Sequence, residues 1–371
     1  MEPAAPDPLL DALRRLCAER IAPMAQQLDR EQRFPDIHLQ ELAKLGVMGL
    51  AVPREQGGLG RDTATFMAVM EELAAACAST AITWGVHASV ATHPIVEFGS
   101  PEQQRHWLPQ LARGERLGAF ALSEAGSASD AAGSMSATAV RRGDEYVLNG
   151  QKVWITNAAH AGLLIVMAKT SPELRARGIS AFIVPRETPG VTVGKHEDKL
   201  GLRASETSTL HLDDARVPAA NLLAGEGDGF KIAMRALDAS RIGVGAQGVG
   251  LARAALAHAV AWARDHPQGQ GVQFQLADLA ARLDAARMLV QRAAALRDAG
   301  QAFTREASMA KLFATELAVR AASVGVSLRG EAGVLEGDAE RVFRDARVTT
   351  IYEGTSEIQR VVIARHLGLP P

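Results

Sequence analysis

The chain contains 371 residues, of which 47% are hydrophobic and 4% aromatic, and its 40 basic side chains almost balance 42 acidic ones, leaving a net charge of −2. Without a basic excess or an abundance of stacking aromatic rings, this composition argues against a nucleic-acid-binding function. A chain of this length can bury a large core without disulfides, and it exceeds the usual size of a single domain.

The apolar runs, cysteines and histidines together indicate a soluble, cytoplasmic protein without a metal site. The N-terminus has neither a basic region nor a long apolar run, and the apolar stretch at 162–168 is too short to cross a membrane. Cys17 and Cys77 lie far apart, which is typical of buried thiols in a reducing compartment. The ten histidines form no ligand motif, and we expect structural or surface roles for His87 and His93.

The first third of the chain has helical patterning. Apolar residues recur at helical spacing from Leu9 to Cys17, and Pro23 bends or ends this segment. Further helices, separated by glycine-rich or proline-containing turns, are predicted over 36–47, 63–78 and 101–112.

From about Gly118 to Asn221 the sequence instead favours strands. A run of β-forming residues at 145–156 predicts a hairpin centred on Asn149-Gly150. Three more β-rich runs, each bounded by glycine, proline or aspartate, are Leu163–Lys169, Ile179–Val184 and Thr209–Leu212. Helical spacing returns at Gly229, so the predicted order is helical, β, helical.

One glycine motif in the last region is misleading. Gly243, Gly245 and Gly248 match the GxGxxG dinucleotide fingerprint, which works only directly after a buried strand. Here the motif lies inside a helical pattern. We therefore interpret these glycines as positions where helices pack closely.

Two segments of the β-rich region have side chains suited to holding a planar heterocycle. The loop from Phe120 to Asp130 is small and polar, so its backbone N–H groups could approach a ring or a phosphate; an ordinary surface loop is the alternative. Trp154 and Thr156 share one strand face by alternation, and an indole beside a hydroxyl suits a flavin edge. The alternative is a core tryptophan and an exposed threonine.

A third segment carries a candidate base. Glu353 lies between Tyr352 and Gly354, just before a Thr-Ser pair that can cap the next helix. A carboxylate in an apolar pocket becomes more basic, which suits removal of a weakly acidic carbon proton. The alternative is a solvated glutamate in a loop.

These segments together resemble the acyl-CoA dehydrogenase family over nearly the whole chain. The run from Ile351 to Arg360, IYEGTSEIQR, is close to the C-terminal signature of that family, and Asn149–Ala158, NGQKVWITNA, is close to another. A third stretch runs from Lys199 through 214–218 to 225–230. The resemblance implies a mainly α fold with an N-terminal helical domain (1–118), a central β-barrel (119–222) and a C-terminal four-helix bundle (223–371).

The resemblance also implies an activity, a cofactor and partners. The activity is FAD-dependent α,β-dehydrogenation of an acyl-CoA of short, medium or branched chain in fatty-acid β-oxidation, giving the trans-2-enoyl-CoA. Glu353 would remove the α-proton while the β-hydride passes to flavin N5. The expected electron acceptor is an electron-transfer flavoprotein, and the expected assembly is a homo-oligomer, a dimer or a tetramer.

The family resemblance assigns further residues by position. Positions that match family contacts to FAD are Leu122, Ser123, Ser129, Trp154, Thr156, Thr355 and Glu357. Positions that match family contacts to the acyl-CoA are Ser129, Asp238, Arg241, Tyr352 and Gly354. Some relatives carry their base on the first bundle helix, but this chain has Ser240 there, which leaves Glu353 as the candidate.

Two segments depart from the family pattern. The stretch at 264–275 is several residues short, and the glycine-rich run at 328–333 has diverged. Relatives use these segments to hold the FAD pyrophosphate across the subunit interface. Two alternatives therefore stand beside the dehydrogenase: an acyl-CoA-binding relative with weakened or lost FAD binding, and a flavin oxidase or monooxygenase on the same scaffold.

Overall fold

The computed structural model describes residues 7–126, 130–267 and 269–369. The chain runs through an N-terminal set of helices, a central sheet and a C-terminal set of long helices, in that order. The predicted helical, β, helical fold class is confirmed. Within the described ranges, no helix combines the length and the apolar character that a membrane span requires.

The N-terminal part consists of short helices, several of which have side-chain caps. Their bounds are α1 Pro8–Leu16, α2 Ala22–Glu31, α3 Asp36–Lys44, α4 Thr63–Ala76, α5 Ala78–Val86, α6 His93–Phe98 and α7 Pro101–Ala112. Asp62 caps α4, and Ser100 forms a capping box with Gln103 at the start of α7. The helix predicted over 63–78 is broken at Cys77, whose backbone is extended (φ −157°, ψ 104°).

The central part is an eight-stranded sheet with one short helix, α8 (Ala131–Ser134), before its second strand. The strands are β1 Gly118–Ala121, β2 Thr138–Arg142, β3 Glu145–Thr156, β4 Leu163–Lys169, β5 Ile179–Pro185, β6 Val191–His196, β7 Thr207–Pro218 and β8 Leu222–Leu223. Their order is β6-β7-β3-β2-β4-β5-β8, and β1 pairs with β4 in parallel.

The predicted hairpin at Asn149-Gly150 is wrong. Both residues lie inside β3, and the tight turn falls earlier, between the paired residues Arg142 and Glu145. The Asn149 side chain instead bonds across to Asp214 of β7, donating from Nδ2 at 3.0 Å and accepting from its backbone N–H at 2.9 Å. Since the register of β3 against β7 shifts at this point, the pair marks a bulge rather than a turn.

In the described residues, the C-terminal part contains three long α-helices and two shorter ones. Their bounds are α9 Gly229–Asp265, α10 Gln270–Asp298, α11 Thr304–Ser327, α12 Asp338–Thr349 and α13 Ser356–His366. The GxGxxG glycines lie within α9, and a Cβ at Gly248 would come within 2.8 Å of the Ala314 carbonyl carbon on α11. Their interpretation as close-packing positions is confirmed for Gly245 and Gly248, whereas a Cβ at Gly243 would make only an ordinary contact with the Phe66 ring at 3.6 Å.

A buried histidine joins the N-terminal helices to the sheet. His87 Nδ1 accepts a hydrogen bond from Gly118 N–H at 3.0 Å, and its Nε2 lies 3.2 Å from the Met48 carbonyl oxygen. His93 Nε2 lies 2.7 Å from an Arg297 nitrogen. Both histidines therefore have structural contacts, as the sequence predicts.

Among the described residues, no group of three or more potential ligand side chains could hold a metal ion.

Candidate active site

The loop between α12 and α13 presents Glu353 in a strained backbone conformation. Glu353 has φ +54° and Gly354 has φ +89°, so two consecutive residues are left-handed. This region costs a non-glycine residue about 1–2 kcal/mol, and it persists only where surrounding contacts hold it. The turn therefore needs anchors elsewhere in the molecule.

Ser240 of α9 contacts the carboxylate of Glu353 directly. Its Oγ donates a hydrogen bond to Glu353 Oε2 at 2.6 Å. Burial of the carboxyl group raises the pKa of Glu353, whereas the Ser240 hydrogen bond and the positive charges of Lys311 and Arg241 act in the opposite direction. The result is a carboxylate more basic than an ordinary glutamate.

Three buried polar side chains hold the residues next to Glu353 in place, namely Gln247, Lys311 and Gln359. The Tyr352 hydroxyl donates to Gln247 Oε1 on α9, and Gln359 Nε2 donates to the Gly354 carbonyl oxygen at 2.8 Å. Lys311 Nζ of α11 donates to the same carbonyl oxygen at 2.6 Å. Sequence reasoning missed these three anchors, although a lone lysine in the alanine-rich run 307–318 was a usable signal.

Asp238 and Arg241 form an ion pair one turn apart on α9. Arg241 Nη1 lies 2.6 Å from Asp238 Oδ1, and Thr304 Oγ1 donates to Asp238 Oδ2 at 2.7 Å. Arg241 is close enough to Glu353 for its charge to lower the pKa of that carboxyl group, so the ion pair lies near the candidate base. The structure thus brings together Glu353, Tyr352, Gly354, Asp238 and Arg241.

The strand that carries Trp154 and Thr156 is irregular at that point. Trp154 has φ +58°, and the register of β3 against β7 shifts between Lys152 and Ile155, both of which are buried. A bulge therefore interrupts the simple alternation predicted from the sequence. Trp154 is 53% exposed and Thr156 is half-buried.

A buried ion pair holds the loop after β1 against β3. Lys152 Nζ lies 2.7 Å from Glu124 Oε1 and donates to the Leu122 carbonyl oxygen at 3.2 Å. Val153 N–H donates to the Ser123 carbonyl oxygen at 2.9 Å. Leu122 and Ser123 are therefore fixed next to the strand that carries Trp154. Ser129, assigned to both FAD and substrate, lies outside the described residues.

Comparison with known proteins matches every part of this architecture. Models of the N-terminal, middle and C-terminal acyl-CoA dehydrogenase domains match residues 6–115, 119–215 and 227–368. The mitochondrial short-chain specific acyl-CoA dehydrogenase of Mus musculus is 46% identical over 367 residues, covering 96% of this chain and 89% of the mouse protein. The chain belongs to the acyl-CoA dehydrogenase family.

Two solved structures extend this likeness to three dimensions. Butyryl-CoA dehydrogenase from Megasphaera elsdenii aligns with a TM-score of 0.96 at 38% identity, covering 99% of this chain and 100% of that one. A chain from a structure described as the electron transferring flavoprotein of Acidaminococcus fermentans aligns with a TM-score of 0.95, also at 38% identity, covering 97% and 96%. The protein is therefore an oxidoreductase of the acyl-CoA dehydrogenase type.

FAD is the cofactor of this family, and this acyl-CoA dehydrogenase has residues that fit it. Trp154 exposes half of a large apolar ring beside the fixed loop at Leu122, which suits stacking on a flavin. Ser356 Oγ is buried with no hydrogen-bond partner in the described part of the chain. It lies in the first turn of α13, which Thr355 caps, and a helix N-terminus favours phosphate oxygens. The exposed Glu357 follows it.

Proposed function

We propose that this acyl-CoA dehydrogenase converts a short-chain acyl-CoA thioester to its trans-2-enoyl-CoA, with Glu353 as the base that removes the α-proton. The observation that carries the proposal is the placement of Glu353. The Glu353 side chain is half-buried and its carboxylate accepts a hydrogen bond from Ser240. Lys311 and Gln359 anchor the backbone of its turn, and Gln247 holds the neighbouring Tyr352. A fixed base of raised pKa suits abstraction of a carbon proton.

The remaining groups of the loop have complementary roles. The Glu353 backbone N–H, at the tip of the left-handed turn, is the proposed donor to the thioester carbonyl oxygen, where negative charge develops as the proton leaves. Asp238 and Arg241 line the proposed path of the CoA chain, and Tyr352 and Gly354 border the acyl group. The chemistry that bound FAD supplies is acceptance of the β-hydride at flavin N5.

The proposed contacts to FAD are those that the family resemblance implies, and the exposure of Trp154 and the cap at Thr355 support them. Trp154 packs on the ring system, and Thr156 together with the loop residues 122, 123 and 129 hydrogen-bonds or borders it. Thr355 and Glu357, at the start of α13, face the phosphates and the adenosine. We also propose the domain limits 1–118, 119–222 and 223–371, since the fold changes character near each boundary.

The proposed substrate is a short, unbranched acyl-CoA. The mouse relative is named short-chain specific, and the Megasphaera elsdenii structure is a butyryl-CoA dehydrogenase. Ile82 and Val86 on α5 and Val244 on α9 are buried aliphatic side chains, and Val244 lies one turn after Ser240. We propose that they border such a chain.

We further propose an electron-transfer flavoprotein as acceptor, a homo-oligomer of two or four copies, and a cytoplasmic location. The Acidaminococcus fermentans structure supports the first of these. Exposed apolar side chains on the C-terminal helices, such as Phe274, Met288 and Val361, support assembly with further copies. Two free, buried cysteines agree with a reducing compartment.

A visible spectrum tests the redox chemistry. We expect the purified protein to show flavin bands and to bleach when butyryl-CoA is added without air, with slow reoxidation by oxygen. Fast reoxidation by oxygen would favour the oxidase alternative. The absence of flavin bands, even after FAD is added, would favour the acyl-CoA-binding alternative and contradict the proposal.

Replacing Glu353 by Gln tests the base. The amide keeps the shape and the Ser240 contact but cannot accept the proton, so we expect full flavin bands and a bleaching rate reduced by about 10²–10⁴-fold or more. The matched control is Glu316→Gln at an exposed ion pair with Arg360, which should bleach at the wild-type rate. Undiminished bleaching in the Glu353 variant would refute the assignment.

A further inference from the structure

A fully buried lysine lies behind the turn that carries Glu353. Lys311 of α11 has no exposed surface, and its neighbours at helical spacing are the buried Ala307, Ala310 and Ala314. Burying an ammonium group among methyl groups is costly unless its donors find acceptors. Burial at this depth therefore calls for a specific reason.

The donors of Lys311 are used on the catalytic loop. Its Nζ donates to the carbonyl oxygen of Thr349, the last residue of α12, at 3.1 Å. It also donates to the carbonyl oxygen of Gly354 at 2.6 Å. One carbonyl precedes Glu353 by four residues and the other follows it directly. The ammonium group thus joins the two ends of the left-handed turn.

The charges that face Lys311 come from three other elements. Glu353 on the loop and Glu357 on α13 are negative, and Arg241 on α9 is positive. Burial lowers the pKa of Lys311 to about 8, against the opposing effect of the two glutamates. At neutral pH the lysine is mostly protonated, so a positive charge lies behind the carboxylate of Glu353.

We propose that Lys311 is a positioning residue for the base: its ammonium group holds the turn so that the Glu353 carboxylate reaches Ser240 and its N–H faces the thioester, and its charge stabilises the ionised carboxylate. This inference rests on the proposed function. It adds a second role for α11, which otherwise serves as a packing partner of α9.

A second anchor makes the proposal testable without unfolding the loop. Gln359 Nε2 also donates to the Gly354 carbonyl oxygen, at 2.8 Å. Removal of the lysine therefore leaves the Gln359 hydrogen bond on the Gly354 carbonyl oxygen. A role in positioning and charge can then be separated from a role in general stability.

The test compares Lys311→Met and Lys311→Arg with Lys231→Met, an exposed lysine near the start of α9. Flavin content, the thermal midpoint, kcat and KM for butyryl-CoA, and deuterium uptake at the α carbon in D₂O are measured between pH 5.5 and 9. We expect Lys311→Met to retain its flavin, to lose about 100-fold in kcat and in deuterium uptake, and to change KM little. Lys231→Met should match the wild type.

The pH profile gives a signature that a purely structural role would not produce. Without the lysine charge the pKa of Glu353 rises, so the acidic limb of kcat should move to higher pH in Lys311→Met. In the wild type, deprotonation of Lys311 should lower kcat above about pH 8. Arginine stays charged, so Lys311→Arg should show no decline of kcat above pH 8. This variant tests the proposal even if the methionine variant fails to fold.

Two results would overturn the inference. One is activity of Lys311→Met within twofold of the Lys231→Met control. The other is a loss of kcat that is proportional to the loss of flavin, together with acidic and alkaline limbs of kcat that are unchanged in both Lys311 variants. If the wild type itself fails to bleach with any acyl-CoA, the proposed function fails. If the wild type is active and its rate does not depend on Lys311, only the inference about Lys311 fails.

Discussion

Glu353 combines two opposing electrostatic influences within one side chain. Burial makes its ionised form less favourable and raises its pKa, while the hydroxyl of Ser240 at 2.6 Å stabilises the same ionised form. A base buried without that hydroxyl would be protonated over more of the neutral range. The Ser240 hydrogen bond therefore lowers the pH at which Glu353 becomes protonated and can no longer act as the proposed base.

We predict that Ser240→Ala moves the acidic limb of kcat/KM to higher pH. Loss of the hydrogen bond to the carboxylate raises the pKa of Glu353, so a smaller fraction is ionised at low pH, while the rate at high pH changes less. The measurement is the pH profile of flavin reduction by butyryl-CoA. Ser323→Ala, which removes a hydroxyl bonded to the Val319 carbonyl oxygen on α11, is the control and should leave the limb in place. An unmoved limb in the Ser240 variant would contradict this account.

At the scale of elements, close packing of α9 on α11 brings the residues of the site together. Gly248 lies against the backbone of Ala314, where a Cβ would approach a carbonyl carbon at 2.8 Å. Lys311 lies one turn earlier on α11, and Ser240 two turns earlier on α9. Any separation of these helices would therefore shift two of the groups that hold Glu353.

We predict that Gly248→Ala lowers stability by about 1–3 kcal/mol, because the added methyl group meets backbone that cannot rotate away. Gly271→Ala is the matched control in α10, since nothing lies within 4 Å of its added Cβ. It should be neutral or stabilising by up to about 1 kcal/mol, because alanine favours helix. Urea unfolding followed by circular dichroism measures both. Equal midpoints for the two variants would show that the helices are not in close contact.

In β3, pairing with another strand overrides a turn predicted from the local sequence. Asn-Gly usually marks a two-residue hairpin turn, yet here the asparagine side chain bonds to Asp214 and the strand continues. Pairing with β7 over most of its length supplies more backbone hydrogen bonds than a turn at that point would. The second bulge, near Trp154, turns the indole outward.

At the scale of the whole molecule, His87 links parts that lie far apart in the sequence. It accepts from the first residue of β1 and contacts the Met48 carbonyl oxygen, so the imidazole serves both bonds only when neutral. Burial lowers its pKa to about 4, and it lowers the pKa of His38 to about 4 as well. Both histidines are unprotonated in the folded protein over a range where the unfolded chain binds protons.

We predict that the free energy of unfolding falls as the pH drops from 6.5 towards 4. In that window the unfolded chain binds a proton at this histidine, whereas the folded protein keeps His87 neutral. The contribution of His87 to the free energy of unfolding is therefore complete above about pH 6.5 and is lost progressively below it. The loss at pH 5 is about 2 kcal/mol for such a group. His87→Gln keeps a donor and an acceptor without titrating and should reduce the slope between pH 7 and 5, measured by urea unfolding. His106→Gln, at an exposed position, should leave the slope unchanged, and an identical slope in all three proteins would rule out His87 as its source.

The sequence predicted several of the elements and the position of the candidate base. The helix over Pro101–Ala112 and the strand Leu163–Lys169 have the predicted bounds, because caps and apolar periodicity are local signals. The break at Cys77 inside an alanine-rich run had no such signal. Lys311 and Gln247 were missed for a related reason, since nothing in their own neighbourhoods shows which carbonyl or hydroxyl they will meet.

The order of helical and β regions and the motif around Glu353 were determined by the sequence alone, because each depends on residues close together in the chain. The tertiary structure decided what surrounds Glu353. Ser240 is 113 positions away from the carboxylate it contacts, and Lys311 is 43 positions away from the carbonyl it holds. Burial, pKa and the left-handed turn all result from these distant contacts, which form only when α9, α11 and the loop pack together.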